Sequence, residues 1–60
     1  MNYVIYFKRL DGQESYVARG FETGFRVTDD LDEAMCFETA REAYDLAGDH
    51  ELYNARVGVR

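Results

Sequence analysis

The stretch from Val27 to Gly48 reads VTDDLDEAMCFETAREAYDLAG, and within it the hydrophobic pattern changes from the period of a strand to that of a helix. Leu31, Ala34 and Met35 have the spacing of one helical face. The aspartates just before Leu31 can cap the first turn. We therefore predict a short helical turn that directly follows the strands and breaks near Phe37.

The second half of the same stretch predicts the main helix. Thr39 and Glu42 have the spacing of a capping box, in which each side chain accepts a hydrogen bond from the other residue's backbone N–H group. Gly48 should end the helix in the left-handed conformation that glycine adopts without strain. The predicted packing stripe of this helix consists of Ala40, Ala43, Tyr44 and Ala47.

Strand-like segments flank the helical region on both sides. They are rich in aromatic and β-branched residues and are bounded by turn-forming residues. The first strand is apolar on both faces, since Tyr3 and Ile5 lie on one face while Val4 and Tyr6 lie on the other. The predicted strands are NYVIYFKRL (2–10), ESYVARGF (14–21), FRVT (25–28) and ELYNARVGVR (51–60).

The element order β-β-β-α-β predicts an α+β fold, a two-layer sandwich of one small antiparallel sheet and one main helix. We expect residues 1–60 to form a single domain, because a chain of 60 residues can build only one core. The predicted core residues are Ile5, Phe7, Val27, Ala43, Ala47, Val57 and Val59.

The charge of the chain is unevenly distributed. Residues 21–50 contain nine acidic side chains and two arginines, a charge of −7, whereas the whole chain has a net charge of −5. The segments before and after this region are therefore slightly positive. The excess negative charge lies in the helical region and the residues beside it.

Two interpretations of this acidic region stay open. Carboxylates near helix N-termini cap free N–H groups and interact favourably with the helix dipole, which is a purely structural role. Capping needs only one or two acids, however, so the surplus is also typical of a face that binds a basic partner. The candidate recognition residues are Asp29, Asp30, Asp32, Glu33, Glu42 and Asp45.

The sequence offers no recognisable catalytic or metal-binding set. Asp30 and Asp32 resemble the start of an EF-hand loop, but Ala34 is not followed by the required glycine and glutamate pattern. Cys36 lies in an apolar run, which favours a buried and unreactive thiol. His50 has the context of a turn residue. We therefore predict no enzyme activity, no metal and no cofactor.

One segment resembles a nucleic-acid-binding motif. RGFETGFRV (19–27) begins like the RNP1 pattern of RNA-recognition domains, but it departs from that pattern after Phe21. A net charge of −5 also has the wrong sign for binding phosphates. We therefore interpret Phe21 and Phe25 as core residues and predict no direct contact with nucleic acid.

The run VTDDLDEAMCFETAREAYDLA, from Val27 to Ala47, resembles a pattern found in many short bacterial and phage proteins of unknown function. In that pattern, strands precede a T-D-D-L-x-x-A turn, an F-x-T-x-x-E-A helix start and a final strand. The resemblance implies the same fold and carries no functional residues. In size, acidity and lack of catalytic groups the chain is also similar to phage proteins that block host defences, including anti-CRISPR proteins.

These features favour a small, non-enzymatic protein that binds and inhibits a basic nucleic-acid-binding protein through its acidic face. The alternative is a structural or accessory module that dimerises. Since one helix can cover only one face of the sheet, we expect a homodimer at micromolar concentration that buries Tyr6 and Val4. The tyrosines considered for such an interface are Tyr3, Tyr6, Tyr16 and Tyr53, with Tyr6 and Tyr16 as the first candidate contact residues.

We expect a cytoplasmic location. The single cysteine, Cys36, cannot form an internal disulfide, which is typical of a reducing compartment. No apolar run is long enough to span a bilayer, so we predict no membrane contact. The N-terminal segment reaches Lys8 and Arg9 after only a few strand-like residues, which is not the pattern of a signal peptide.

Overall fold

The computed structural model describes residues 2–20 and 24–60 of the chain, and these form one antiparallel sheet with a helix on one face. The sheet order is β3-β2-β1-β4. The predicted α+β class and the order β-β-β-α-β are confirmed. The elements are β1 (Tyr3–Lys8), β2 (Glu14–Ala18), β3 (Arg26–Thr28), a 3-10 turn (Leu31–Glu33), α1 (Ala40–Asp49) and β4 (Arg56–Val59).

The core lies between the sheet and α1. Ile5 and Val17 are fully buried on the sheet, and they pack with Phe37 and with Ala43 of the helix. Alternation along the strands directs these side chains to the helix side. The partly buried residues around them are Tyr3, Phe7, Phe25, Met35, Leu46, Ala47, Leu52, Ala55 and Val57.

Two predicted core residues are not in the core. Val27 is 53% exposed and Val59 is 59% exposed. Both lie on the outer strands, β3 and β4, where a single ten-residue helix does not extend over the side chains. The strand period predicts the face on which a residue lies, but the width of the covering layer decides whether that residue is buried. Phe21, also predicted to be a core residue, lies outside the described residues.

The last strand pairs with β1 in antiparallel orientation, and Ile5 lies opposite Val57. It begins at Arg56, later than the predicted segment 51–60. Tyr53 precedes it in a turn and is 84% exposed, so its predicted place in the alternating strand pattern is wrong. The turn is stabilised by the bond from the Ala55 N–H to the Leu52 carbonyl, 3.1 Å, which prevents an extended conformation there.

The predicted start of the main helix is confirmed, but its packing face differs from the prediction. The Thr39 hydroxyl accepts a hydrogen bond from the Glu42 N–H at 3.2 Å. Tyr44, predicted to lie in the packing stripe, is 60% exposed. Leu46 packs on the core instead. Leu46 is three residues after Ala43, so the two side chains lie on the same helix face, with Leu46 on the side of Ala43 opposite to Tyr44.

The predicted stop at Gly48 is wrong, because α1 continues to Asp49. The left-handed residue is Glu51, with φ 56°. The Leu52 N–H donates to the Ala47 carbonyl at 2.8 Å, and the Glu51 N–H donates to the Gly48 carbonyl at 3.1 Å. These two bonds form a Schellman motif, and its usual apolar contact is provided by Leu52, which packs on the core.

The segment that follows the 3-10 turn fills a fork between β1 and β2. Toward the start of β1 and the end of β2, the last pair of residues that face each other across the two strands is Tyr6 and Tyr16. Past this pair, the Met35 N–H donates to the Val17 carbonyl at 2.9 Å. Phe37 and Tyr3 exchange two backbone hydrogen bonds of 2.8 Å each. The chain thus crosses the sheet plane here, and this crossing brings Phe37 into the core.

We predict that Glu51→Gly stabilises the fold by about 0.5–1 kcal/mol, because glycine adopts the left-handed conformation without the steric cost that a Cβ atom imposes. The denaturant midpoint measures this change. Gly48→Ala is the matched comparison, since Gly48 lies inside the helix and a Cβ atom there has no neighbour within 4 Å. It should also stabilise, through helix propensity. A lower midpoint for Glu51→Gly would contradict the helix end described here.

Candidate protein-binding surfaces

The structure divides the six predicted recognition acids into two groups. The first group surrounds the 3-10 turn and is engaged within the chain. The Asp30 carboxylate accepts the Asp32 N–H at 2.9 Å and so caps the turn. The ion pairs are Asp29 with Arg9 at 2.9 Å, Asp32 with Arg60 at 3.1 Å and Glu33 with Arg26 at 2.8 Å.

The partners of these acids lie far from the turn in the chain or on a strand: Arg9 follows β1, Arg26 lies on β3 and Arg60 follows β4. Asp29 is twenty residues from Arg9 in sequence, and Asp32 is twenty-eight residues from Arg60. All the partners are at least partly exposed, so each pair contributes at most about 1 kcal/mol. The structural interpretation therefore accounts for Asp29, Asp30, Asp32 and Glu33, whose charges are locally neutralised or used for capping.

Asp29 has the most specific environment of the four. The buried Ser15 hydroxyl donates to its Oδ1 atom at 3.0 Å, and Arg9 donates to the same oxygen. The Ser15 hydrogen bond, followed by the Arg9 hydrogen bond and charge, lowers the pKa of Asp29 below its ordinary value. Asp29 thus connects the end of β3 to the hairpin between β1 and β2.

The second group of acids lies on α1 and remains open to solvent. Glu42 and Asp45 are exposed, and neither has an ion pair within residues 2–20 and 24–60. Asp49, which was not among the predicted recognition residues, continues the row. It lies four residues after Asp45, a spacing that already places both on one helix face. We call Glu42, Asp45 and Asp49 the helix stripe.

The opposite face of the sheet carries the two predicted contact tyrosines. Tyr6 and Tyr16 are cross-strand neighbours and line an open groove of about 440 Å³. The groove is also lined by Val4, Glu14, Leu31, Gly58, Val59 and Arg60. We call this cavity the sheet groove.

Gly58 shapes the sheet groove. A Cβ atom built on Gly58 would lie 2.9 Å from the Tyr6 Cε1 atom, so the Tyr6 ring lies directly over the backbone of β4. Leu31 reaches the same side from the 3-10 turn, and Val4 below is only 4% exposed. The second face of β1 is therefore less open than its apolar sequence suggests, because the turn covers part of it.

The four tyrosines considered for an interface do not share one surface. Tyr3 faces the helix and packs on the core, and Tyr53 lies in the exposed turn before β4. Only Tyr6 and Tyr16 are brought together. Val4 was predicted to be buried with Tyr6, but Gly58 and Leu31 were not predicted at this surface, because their positions beside Tyr6 depend on pairing that is not visible in the sequence.

Cys36 is exposed, so the prediction of a buried thiol is wrong. It lies in the crossing segment between Met35 and Phe37, whose backbone bonds turn its side chain outward from the core. The Arg60 Nη1 atom lies 3.2 Å from its Sγ atom. This contact, with a smaller effect from Asp32, raises the pKa of Arg60. Within the described residues, no three His, Cys, Asp or Glu side chains form a metal-binding group.

Comparisons with known proteins returned no relative. No family model, no curated protein and no solved structure matches the chain. In the part of the chain that the structure describes, no helix is long and apolar enough to cross a membrane.

We predict that Ser15→Ala raises the pKa of Asp29, because it removes the hydrogen bond that contributes most to the lowering. A carboxylate with a lowered folded-state pKa stabilises the fold fully above the ordinary Asp value of about 3.9, and this contribution is lost as the pH falls through the lower folded-state value. NMR titration of the Asp29 carboxyl carbon measures the shift directly. The Asp45 carboxyl, which has no such partner, serves as the reference in the same spectra. An Asp29 titration that is identical in the wild type and in Ser15→Ala would contradict this assignment.

Proposed function

We propose that this chain is a small, non-enzymatic inhibitor that docks its helix stripe on the basic surface of a nucleic-acid-binding protein. In this respect it would act like the phage anti-defence proteins that it resembles in size and acidity. Bound in this way, it would occupy cations that otherwise contact phosphates. The proposal is supported chiefly by one observation, the exposed row of carboxylates at Glu42, Asp45 and Asp49, which form no ion pair within the part of the chain that the structure describes.

The spacing of the helix stripe suits this role. Residues three and four positions apart on a helix have Cβ atoms about 5–6 Å apart, so the three carboxylates form a continuous row. Holding like charges this close costs some helix stability, which a basic partner would recover on binding.

The ion pairs around the 3-10 turn make the distribution of negative charge over the surface uneven. They neutralise acids on the turn, whereas Glu42, Asp45 and Asp49 on α1 have no ion pair within residues 2–20 and 24–60. Arg41 is the one cation on that helix. A directed field of this kind speeds the association of oppositely charged surfaces and falls with ionic strength.

The test compares two triple variants that change the net charge equally. In the first, the helix stripe is neutralised by Glu42→Gln, Asp45→Asn and Asp49→Asn. In the second, the ion-paired acids are neutralised by Asp29→Asn, Asp32→Asn and Glu33→Gln. We expect the stripe variant to slow association with the partner by about tenfold at low salt and to lose most of the salt dependence. We expect the second variant mainly to lower the denaturant midpoint.

The partner is first recovered from host lysate at low salt and identified, and association rates are then measured by surface plasmon resonance. The nucleic acid bound by that partner should compete with the wild-type chain. Equal association rates for the stripe variant and the wild type would overturn the proposal. So would a complex that still accepts nucleic acid with undiminished affinity, because the inhibitor would then leave the basic surface free.

A second candidate function is a module that dimerises, and the edge of β4 favours it. The Arg60 N–H donates to the Asn2 carbonyl, so these two residues form a hydrogen-bonded pair between β4 and β1. Hydrogen-bonded and non-hydrogen-bonded pairs alternate along antiparallel strands, so the N–H and C=O groups of Val57 and Val59 point away from β1. A free edge of this kind can pair with the same edge of a second copy. The chain contains no proline that would block such pairing.

The homodimer therefore stays a prediction, with β4 as the strand to test. We predict that Val59→Pro gives a monomer without unfolding the sheet, because it removes only an outward N–H group. Val59→Ala, which retains that group, should behave like the wild type. Light scattering across micromolar to several hundred micromolar concentration measures the mass. A wild-type chain that stays monomeric over this range would exclude self-association.

A further inference from the structure

The outer edge of β4 carries backbone groups that are free to pair with another strand. The N–H and C=O groups of Val57 and Val59 point away from β1, and within residues 2–20 and 24–60 no strand lies on that side of β4. At the other edge of the sheet, β3 has only three residues, and so short an edge strand offers little for pairing. β4 is therefore the edge at which the sheet can be extended.

Two copies of the chain can satisfy these groups equally well in two antiparallel registers. If Val57 lies opposite Val57 of the second copy, these residues exchange two bonds, and each Val59 N–H reaches the Ala55 carbonyl of the other copy. If Gly58 lies opposite Gly58, Val57 and Val59 exchange bonds on both sides of the twofold axis. The registers make the same number of backbone bonds, because the Ala55 N–H already donates to the Leu52 carbonyl. The backbone therefore does not select between them.

The side chains on the open face of the sheet do distinguish the registers. With Gly58 at the axis, Arg56 lies opposite Arg60 of the second copy, and like charges directly opposite each other destabilise a sheet. With Val57 at the axis, Arg56 lies opposite Gly58, which has neither a charge nor a side chain. The two Val57 side chains then meet on the helix side, where β-branched residues pack well against cross-strand neighbours. Charge and packing both favour the axis at Val57.

Tyr6 fits the register centred on Val57. Within one copy, Tyr6 lies opposite Arg56. An edge of its ring also occupies the space over Gly58, since a Cβ atom built there would lie 2.9 Å from the Tyr6 Cε1 atom. Arg56 of the second copy, opposite Gly58, would place its aliphatic stem beside this ring edge. Each Arg56 would then lie between the Tyr6 rings of the two copies, and the contact would bury more of a ring that is half-exposed in the single chain.

We infer that two copies of this chain pair through β4 with Val57 on the twofold axis, so that their sheets join into one antiparallel sheet. This inference rests on the second candidate function, the module that dimerises, and adds the register and the contact residues to it. In this dimer, Tyr6 is covered by Arg56 of the second copy.

The test mixes isotope-labelled and unlabelled chains in equal amounts, at the upper end of the light-scattering range, and detects contacts between copies by isotope-filtered NMR. In antiparallel strands, the Cα atoms of a non-hydrogen-bonded pair are only about 4.5 Å apart, so their α-protons give a strong signal. We expect a contact between the Arg56 α-proton and the Gly58 α-protons of the other copy. Val59→Pro, which removes an N–H group of the interface, should show no contact between copies.

A charge variant gives an independent measurement of the register. Arg56→Gln should weaken the dimer about threefold, because it shortens the stem that contacts Tyr6 of the second copy. With Gly58 at the axis, the same change would tighten the dimer, since it removes the repulsion between Arg56 and Arg60. Arg19→Gln changes the net charge equally and should leave the dimer unchanged. Both substituted arginines are exposed, so the variants should retain the fold, and the amide spectrum checks this.

Other results would overturn the inference and separate it from the proposed functions. A contact between the Gly58 α-protons of the two copies, or a dimer that Arg56→Gln leaves unchanged or tightens, would exclude the register centred on Val57 and leave dimerisation standing. Contacts between copies that do not include β4 would move the interface to another surface. A wild-type chain that stays monomeric would remove this inference together with the second candidate function, and it would leave the helix stripe proposal standing.

Discussion

The backbone bonds that insert residues 35–37 between β1 and β2 hold the rest of the structure in place. On one side of this crossing, the 3-10 turn places Leu31 over the open face of the sheet, where it lines the groove. On the other side, Phe37 enters the core and α1 begins three residues later, at Ala40. The two bonds between Phe37 and Tyr3 replace strand pairing that β1 would otherwise make with β2, so both backbone groups of Tyr3 are paired at the fork.

The sequence predicts this fold well where the signal is local. The N-cap hydrogen bond of Thr39 is made within four residues, and the change of period before it identifies the helix whatever the sheet order. Features that depend on distant partners are not predicted. Glycine is a residue type that often ends helices, but α1 continues past Gly48 to Asp49. Its end coincides with the left-handed Glu51 and with the packing of Leu52 on the core. Val27 and Val59 have core-like patterns and are exposed because their strands lie at the edges.

The candidate surfaces show the same difference between features with local signals and features that depend on distant partners. Five of the six acids are near a predicted helix start, and Asp45 was expected at an exposed helix position, so the sequence does not separate them into two groups. Their difference comes from three arginines outside the helical region, Arg9 after β1, Arg26 on β3 and Arg60 after β4, which the folded sheet brings close to the turn. Tyr6 and Tyr16 could be predicted as neighbours from a hairpin, but the groove also needs Gly58 of β4, whose place beside β1 is not contained in any local pattern.

The helix stripe and the sheet groove lie on opposite layers of the domain, which restricts the kind of partner that can contact both. The shortest extent of the domain, measured between Cα atoms, is 21 Å. The two surfaces are therefore separated by both layers of the domain, and a partner with one flat surface can contact the charged stripe or the aromatic groove but not both.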